Sequence, residues 1–277
     1  MKKVIFRVDV CLPTASMFSN RLKLRFGYLK YLNTLFSLMR EHGITATLMF
    51  VPNRTEPTEQ LVGELVDLRC EIAMHADEVV PDRLSCQARK MEKIVGRRIR
   101  GISYHGRDLS DFLIHKFTRK TRYIAYHNPF ASLQAGFEYD ATGFVSNRPQ
   151  SLEFGTKRIL LFQGFTDVTA RPMPVRYDTY DRPRKLHTDE WIEESMFDDP
   201  FAIFLVHPFY LNRYGYKKKR IRLVSALFDY VRRKEFTVRT YEQALQEIGL
   251  ASGHALGVKT TRVQGPSQSS DHRRCGV

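Results

Sequence analysis

The stretch KVIFRVDVCL, residues 3–12, decides the fold because it has the composition of a buried strand yet contains two charged residues. Its apolar and β-branched side chains predict a β-strand that ends before Pro13. Side chains alternate along a strand, so Arg7, Asp9 and Cys11 share one face. A buried carboxylate is costly unless a cation or hydrogen-bond donors compensate it. This face is therefore the first candidate for a functional site.

Strand-like and helix-like segments alternate along the chain up to about residue 250. The predicted strands after the first are ITATLMFVP, CEIAMHA, IRGISYHG, YIAYHN, ILLFQG and FAIFLVHP, and amphipathic segments separate most of them. Strands with few polar residues, joined by helices, indicate a parallel sheet that helices cover. We therefore expect one α/β domain over residues 1–250.

Two segments lack this alternation. TARPMPVRYDTYDRPRK, residues 169–185, is rich in Pro and Arg and predicts a long loop. Residues 251–277 lack apolar periodicity and are rich in Gly, Ser and polar residues, which predicts a disordered C-terminal tail.

The composition favours anionic partners and a cytoplasmic protein. The 277 residues include 44 Lys and Arg against 30 Asp and Glu, a formal charge of +14, which suits acidic or phosphorylated glycans, anionic lipid or nucleic acid, or simply a well-solvated surface. The four Cys show no paired spacing, which favours reduced thiols. Arg7 and Asp9 interrupt the apolar run near the N-terminus, so we do not expect a secretory signal there.

Polar residues stand at the ends of four predicted strands. Asp9 comes late in the first strand, and the others end in His75, His105 and His207. Functional groups gather at the carboxyl ends of parallel strands, and imidazole and carboxylate groups bind divalent metals. The alternative for each histidine is a core residue whose hydrogen bonds the protein satisfies.

In their order along the chain, FRVDVC, ITATLMFVP, EIAMHADE, IRGISYHG and FLVHPF resemble the motifs of the polysaccharide deacetylase (NodB-homology) family. The branch most resembled is the R-x-D-V-D branch, which includes deformylases of lipid-linked aminoarabinose. The resemblance implies an α/β fold of the distorted, incomplete (β/α) barrel type. It implies that Asp9 is a general base, that His75 binds a metal, and that His207 is the general acid.

Two positions depart from the family pattern. Cys11 stands where the family has a metal-binding Asp, and Val79 stands where it has a second metal-binding His. A thiolate also binds zinc, so Cys11 is either a ligand or a small buried residue. His105 is the candidate replacement for the missing His, with Asp77 or Glu78 as weaker oxygen donors. The expected cofactor is a divalent metal, zinc first and cobalt or nickel as alternatives.

The residues expected to bind substrate flank these positions. Arg7 either orients Asp9 or contacts an anionic group, Tyr104 and Arg107 flank His105, and Tyr210 lies in the aromatic run HPFYLNRYGYKKKR. The expected partner is an acylated carbohydrate or lipid-linked sugar, with an anionic group or an anionic membrane surface nearby. The sequence contains no specific nucleic-acid motif.

The sequence therefore predicts a metal-dependent hydrolase that removes an N- or O-acyl group, acetyl or formyl, from a carbohydrate. The alternative is a catalytically degenerate relative that binds glycan without turnover, which Cys11 and Val79 favour. A basic nucleic-acid-binding protein is the third hypothesis. The oligomeric state is open.

Overall fold

The computed structural model describes residues 2–11, 21–76, 78–104, 128–143, 150–169, 175–177, 184–185, 201–211, 217–250 and 259–262. In these ranges the strands are β1 Lys3–Val10, β2 Thr47–Phe50, β3 Glu71–Ala76, β4 Gly101–Tyr104, β5 Tyr139–Gly143, β6 Gln150–Phe154, β7 Lys157–Gln163, β8 Phe165–Asp167, β9 Val175–Tyr177, β10 Arg184–Lys185, β11 Phe201–Val206, β12 Thr237–Arg239 and β13 Lys259–Arg262. The helices are α1 Arg21–His42, α2 Glu59–Asp67, α3 Pro81–Val95, α4 Pro129–Gln134, α5 Pro208–Leu211, α6 Lys217–Arg233 and α7 Tyr241–Leu250.

All the described strands belong to one sheet. Their order is β10-β9-β8-β11-β1-β2-β3-β4-β5-β7-β6-β13, and β12 pairs with the beginning of β1. The run from β8 to β5 through β11 and β1 is parallel throughout, so its carboxyl ends meet at one edge. The sheet is curled into a half-barrel, and this confirms the predicted α/β fold of the incomplete (β/α) barrel type.

The two faces of the sheet carry different cores. Outward side chains such as Phe6 pack against the helices, in a cluster with Leu35 of α1 and Phe228 of α6. Inward side chains such as Ile5 form a second cluster, which α7 joins through Tyr241. Because side chains alternate, every second residue of each strand lies inside the half-barrel.

Inward polar residues at the amino ends of the strands form a closed network with α7. Glu71 is buried and accepts hydrogen bonds from Tyr139 Oη at 2.6 Å, from Thr47 Oγ1 at 2.7 Å and from the backbone N–H of Glu242 at 2.9 Å. Burial raises the pKa of Glu71, although these three donors oppose the shift. The network fixes α7 across this end of the half-barrel, so the opposite end is the one where a site can form.

The structure has strands within the predicted loop and within the predicted tail. Residues 175–177 and 184–185 form the paired strands β9 and β10 within the predicted loop. Within the predicted tail, residues 259–262 form the strand β13, which pairs with β6 in parallel at the edge of the sheet. The predicted strand YIAYHN lies outside the described residues, apart from Asn128. Among the described helices, none combines the length and apolar character needed to cross a bilayer.

Candidate active site

Arg7 and Asp9 form a buried ion pair on the inner face of β1. Arg7 Nε and Nη2 each donate to an Asp9 carboxylate oxygen at 2.7 Å, and both residues are 3% exposed. Arg7 Nη1 also donates to the carbonyl oxygen of Ala141 on β5. Burial alone would raise the pKa of Asp9, but the Arg7 guanidinium holds that pKa well below its ordinary range. Of the two roles expected for Arg7, the structure places it as the partner that orients Asp9.

Two histidines face the same oxygen of Asp9. His75 Nε2 lies 3.7 Å and His207 Nε2 lies 3.9 Å from Asp9 Oδ2. The sheet register explains this convergence, because Val206 pairs with Val8, so that His207 comes level with Asp9 at the end of the next strand. The structure therefore brings three predicted site residues together at the carboxyl end of the half-barrel.

His75 is held in place from the neighbouring strand. Its Nδ1 shares a hydrogen bond of 2.7 Å with Ser103 Oγ, since His75 and Ser103 are paired across β3 and β4. The bond fixes the ring so that Nε2 is the nitrogen facing Asp9. Ser103 thus positions His75, a role that the sequence did not indicate.

His207 lies beside Asp167, a residue that no pattern in the sequence indicated. His207 Nδ1 lies 3.5 Å from Asp167 Oδ2, and the backbone N–H of Thr169 donates to Asp167 Oδ1 at 3.0 Å. The backbone N–H of His207 in turn donates to Thr169 Oγ1 at 2.6 Å. Burial lowers the pKa of His207, but the Asp167 carboxylate and the Cys11 side chain more than offset this, so the pKa is raised well above its ordinary value.

Cys11 completes the row of inward residues on β1. It is half-buried, and its influence helps to raise the pKa of His207. The residue that departs from the family pattern therefore affects the candidate acid.

Tyr210 borders His207 from the short helix α5. The two rings meet edge to face with their centroids 5.6 Å apart, and Tyr210 is half-buried. The Arg220 guanidinium of α6 lies 5.4 Å from the centroid of the Tyr210 ring and donates to the Tyr210 carbonyl oxygen. Tyr210 thus stays a candidate substrate contact.

Tyr104 lies on the other face of the sheet from this site. It is the partner of Ala76 in the β3–β4 register, points into the helix-covered core, and its hydroxyl donates to the carbonyl oxygen of Asn128 and pairs with Ser132 Oγ at 2.7 Å. The structure therefore does not bring Tyr104 to the site, because alternation turns it outward when Ser103 turns inward. His105 and Arg107 lie outside the described residues.

The predicted metal centre is incomplete in the part of the chain that the structure describes. There, no group of three or more His, Cys, Asp and Glu side chains has an arrangement that could hold a metal ion. Both oxygens of Asp9 accept hydrogen bonds from Arg7, so a cation already neutralises this carboxylate. The described donors therefore do not fit a zinc site on their own, and the divalent metal stays a prediction that elemental analysis of the purified protein checks.

The raised pKa of His207 should keep its ring protonated near neutral pH, which NMR can measure. We expect the His207 Cε1–H resonance to stay at its protonated position as the pH passes through the ordinary histidine pKa of 6.5. A group with a raised pKa stabilises the folded protein fully below its unfolded pKa, and this contribution is lost as the pH rises through the folded value. An NMR titration checks this. Asp167→Asn should lower the midpoint, and a wild-type midpoint at 6.5 would contradict the prediction.

Fold and site together define a class of protein: a half-barrel with carboxylate and imidazole groups at the carboxyl ends of its parallel strands.

No family model matches the sequence, and no curated protein sequence matches it. The solved structures most like it include a protein assigned as a polysaccharide deacetylase from Mycobacterium smegmatis, at 15% identity, with a TM-score of 0.60 over 96% of this chain and 94% of that one.

Two further structures have the same fold. One is assigned as a polysaccharide deacetylase from Pseudomonas aeruginosa PAO1, with 12% identity and a TM-score of 0.60, and the other is the Puue allantoinase, with 11% identity and a TM-score of 0.59. Each alignment covers 91% of this chain and 92% of the other. At these identities the likeness confirms the expected fold alone.

Proposed function

We propose that this protein is a hydrolase that removes an N- or O-acyl group from a carbohydrate or a lipid-linked sugar. The observation that carries the proposal is the proximity of an imidazole and a carboxylate, with His207 Nε2 and Asp9 Oδ2 3.9 Å apart, in surroundings that raise the pKa of His207 and lower the pKa of Asp9. The fold is shared with two proteins assigned as polysaccharide deacetylases, which supports this choice of reaction.

His207 is the proposed general acid. When an acyl–nitrogen or acyl–oxygen bond breaks, the leaving amine or alkoxide needs a proton. The carboxylates of Asp167 and Asp9 flank the imidazole and favour its charged form. His207 is therefore protonated before the reaction starts, and its side chain is 16% exposed, which leaves it open to a substrate.

Asp9 has a low affinity for a proton, which limits its role as a general base. Arg7 keeps the carboxylate ionised but lowers its affinity for a proton. The role of base stays a prediction, and as a base Asp9 would be weak. Its fixed negative charge lies 3.7 Å from His75 Nε2 and 3.9 Å from His207 Nε2, and it favours the cationic form of His207.

Tyr210 is the proposed contact for the sugar. Its aromatic ring lies beside His207, and the apolar C–H face of a sugar packs well on an aromatic face. The helix α6 that supports it begins with the exposed Lys217, Lys218 and Lys219. These cations would attract a substrate that carries phosphate or a carboxylate.

The test measures release of acetate and formate from N-acylated and O-acylated oligosaccharides. We expect His207→Gln to reduce turnover by about a hundredfold or more, the effect typical of losing a general acid. The matched control is His42→Gln, because His42 lies in the helix layer against Asp229 and away from the site, and it should keep wild-type turnover.

Absence of release from every probe by the folded wild-type protein would contradict the proposal. If the same protein bound the oligosaccharides without turnover, the result would support the non-catalytic glycan-binding alternative.

A further inference from the structure

The short helix α5 begins directly after His207 and divides its four residues between the core and the surface. Pro208 and Leu211 are buried, whereas Phe209 and Tyr210 are half-buried. The backbone N–H of Tyr210 donates to the carbonyl oxygen of His207 at 3.0 Å, which fixes the helix to the end of β11. Pro208 and Leu211 therefore anchor α5, and two neighbouring aromatic rings stay partly exposed beside the candidate acid.

These two rings belong to a series of ring contacts that begins at His207. The centroid of the Tyr210 ring lies 5.6 Å from that of His207, and the centroid of Phe209 lies 5.5 Å from that of Tyr210. Tyr31 of α1 continues the series, with its centroid 5.3 Å from that of Phe209. Because Tyr31 is also half-buried, each of the three rings keeps part of its surface for a ligand. We call Tyr210, Phe209 and Tyr31 the aromatic row.

The chemistry of the aromatic row fits a carbohydrate better than a lipid chain. The C–H face of a sugar packs on an aromatic ring, and the hydroxyl groups of Tyr31 and Tyr210 can exchange hydrogen bonds with sugar hydroxyls. A lipid chain would bury such polar groups without offering them a partner, which is costly. The Arg220 guanidinium, 5.4 Å from the Tyr210 centroid, places a cation beside the row and also favours a polar ligand.

We propose that the aromatic row binds consecutive sugars, so that the substrate is an oligosaccharide of three or more units and not a single acylated sugar. Tyr210 contacts the sugar whose acyl group faces His207, Phe209 contacts the next sugar, and Tyr31 contacts the third. The inference rests on the proposed function for the chemistry at His207. It adds the substrate class and two residues, Phe209 and Tyr31, that select it.

The experiment compares chain lengths in two series of probes, N-acetylglucosamine and O-acetylated xylose, each with one to four β-1,4-linked units. Where acetate is released, kcat/KM is measured for each length, and where none is released, calorimetry gives the affinity. In at least one series we expect the value for the wild-type protein to rise with each unit up to the third and to stay level at the fourth.

The variants test the order of the rings. Phe209→Leu keeps an apolar side chain against α1 but removes the ring, and it should lower the advantage of the dimer over the monomer by about tenfold, an effect typical of losing one aromatic anchor. Phe209→Tyr restores the ring and should restore the advantage. Tyr31→Leu should lower only the advantage of the trimer over the dimer.

Phe236→Leu is the matched control for Phe209→Leu. Phe236 is also half-buried and also meets a tyrosine ring edge to face, with its centroid 6.0 Å from that of Tyr230, but it lies beyond the far end of α6. This variant should keep the wild-type dependence on chain length in both series.

Three results would overturn the inference. The first is the absence of any dependence on chain length in both series, which the folded wild-type protein decides without a variant. The second is an equal loss for monomer and trimer in Phe209→Leu, because a purely structural role of the ring would have that effect. The third is an octyl glycoside of N-acetylglucosamine that binds as tightly as the trimer, which would assign the row to a lipid chain.

The same measurements separate this inference from the proposed function. If affinity rises with chain length but no acetate is released, the aromatic row stands and the proposed hydrolase fails. If acetate is released from monomer and trimer with equal kcat/KM, the hydrolase stands and the role of the aromatic row is wrong.

Discussion

Arg7→Met is expected to lower the free energy of unfolding by about 3–5 kcal/mol, the cost of leaving a buried charge without its partner. Asp9 is 3% exposed, and both of its oxygens accept hydrogen bonds from Arg7 at 2.7 Å. Without the guanidinium, burial raises the pKa of Asp9 instead of Arg7 lowering it. Urea unfolding of the variant and the wild type at neutral pH measures the difference.

The pH dependence of the Arg7→Met effect follows from the sign of the Asp9 shift. In the wild type the pKa of Asp9 is depressed, so the ion pair contributes fully above the unfolded value, and the contribution is lost as the pH falls through the lower folded value. In the variant the carboxyl group takes up a proton at higher pH, which relieves the buried charge. The stability gap should therefore narrow as the pH falls from neutral towards the ordinary range of an Asp.

Two controls separate charge from packing. Arg83→Met breaks an Arg–Glu contact of similar length, 2.9 Å to Glu78, but the Arg83 side chain is 72% exposed, so the loss should stay below about 1 kcal/mol. The double variant Arg7→Met/Asp9→Leu removes both buried charges and should recover most of the stability. If the double variant were as unstable as Arg7→Met, the loss would come from the packing of Arg7 on Phe165 and not from the charge.

Gly101→Ala is expected to destabilise the protein by about 3 kcal/mol or more, at or beyond the upper end of ordinary overpacking. A Cβ at this position would lie 1.7 Å from Cζ and 2.1 Å from Oη of Tyr139. The Tyr139 ring cannot move aside, because it packs against Phe162 and Tyr241 and its hydroxyl donates to Glu71. The new Cβ would therefore clash with a Tyr139 ring whose position is fixed both by its ring contacts and by its hydroxyl hydrogen bond.

Gly63→Ala is the matched control for this prediction. Gly63 is an exposed glycine within α2, and a Cβ there would meet no atom within 4 Å. Because alanine favours helices, this variant should gain up to about 1 kcal/mol. Thermal and urea unfolding of both variants measures the contrast. Equal stability of Gly101→Ala and the wild type would mean that Tyr139 does not approach the β4 backbone as described.

The sequence correctly predicted the strands that are apolar runs with clear boundaries. β1, β2, β3, β4, β7 and β11 are apolar runs bounded by turn or helix signals, and each appears as a strand. β8 was missed, because its three residues follow Gly164 directly and are too short to show alternation. Asp167 was missed with it, and the signal that could have found it is an acidic residue two positions after an inward Phe165.

The candidate site was predictable where side-chain alternation within one strand was enough. Arg7 and Asp9 share a face of β1, and their contact follows from that spacing alone. Tyr104 was placed wrongly because the sequence does not show which residues of β4 face inward. The pairing of Ser103 with the inward His75 identifies Ser103 as inward, and alternation then turns Tyr104 outward.

The strand β3 contributes Glu71 to the network at one end of the half-barrel and His75 to the site at the other end. Glu71 and His75 lie on the same strand, four residues apart, and hence about 13 Å from each other. Substitutions separated by more than about 7–10 Å and without shared partners usually have additive effects on stability. Changes at Glu71 that are made for heat resistance should therefore add to the effects of changes at His75.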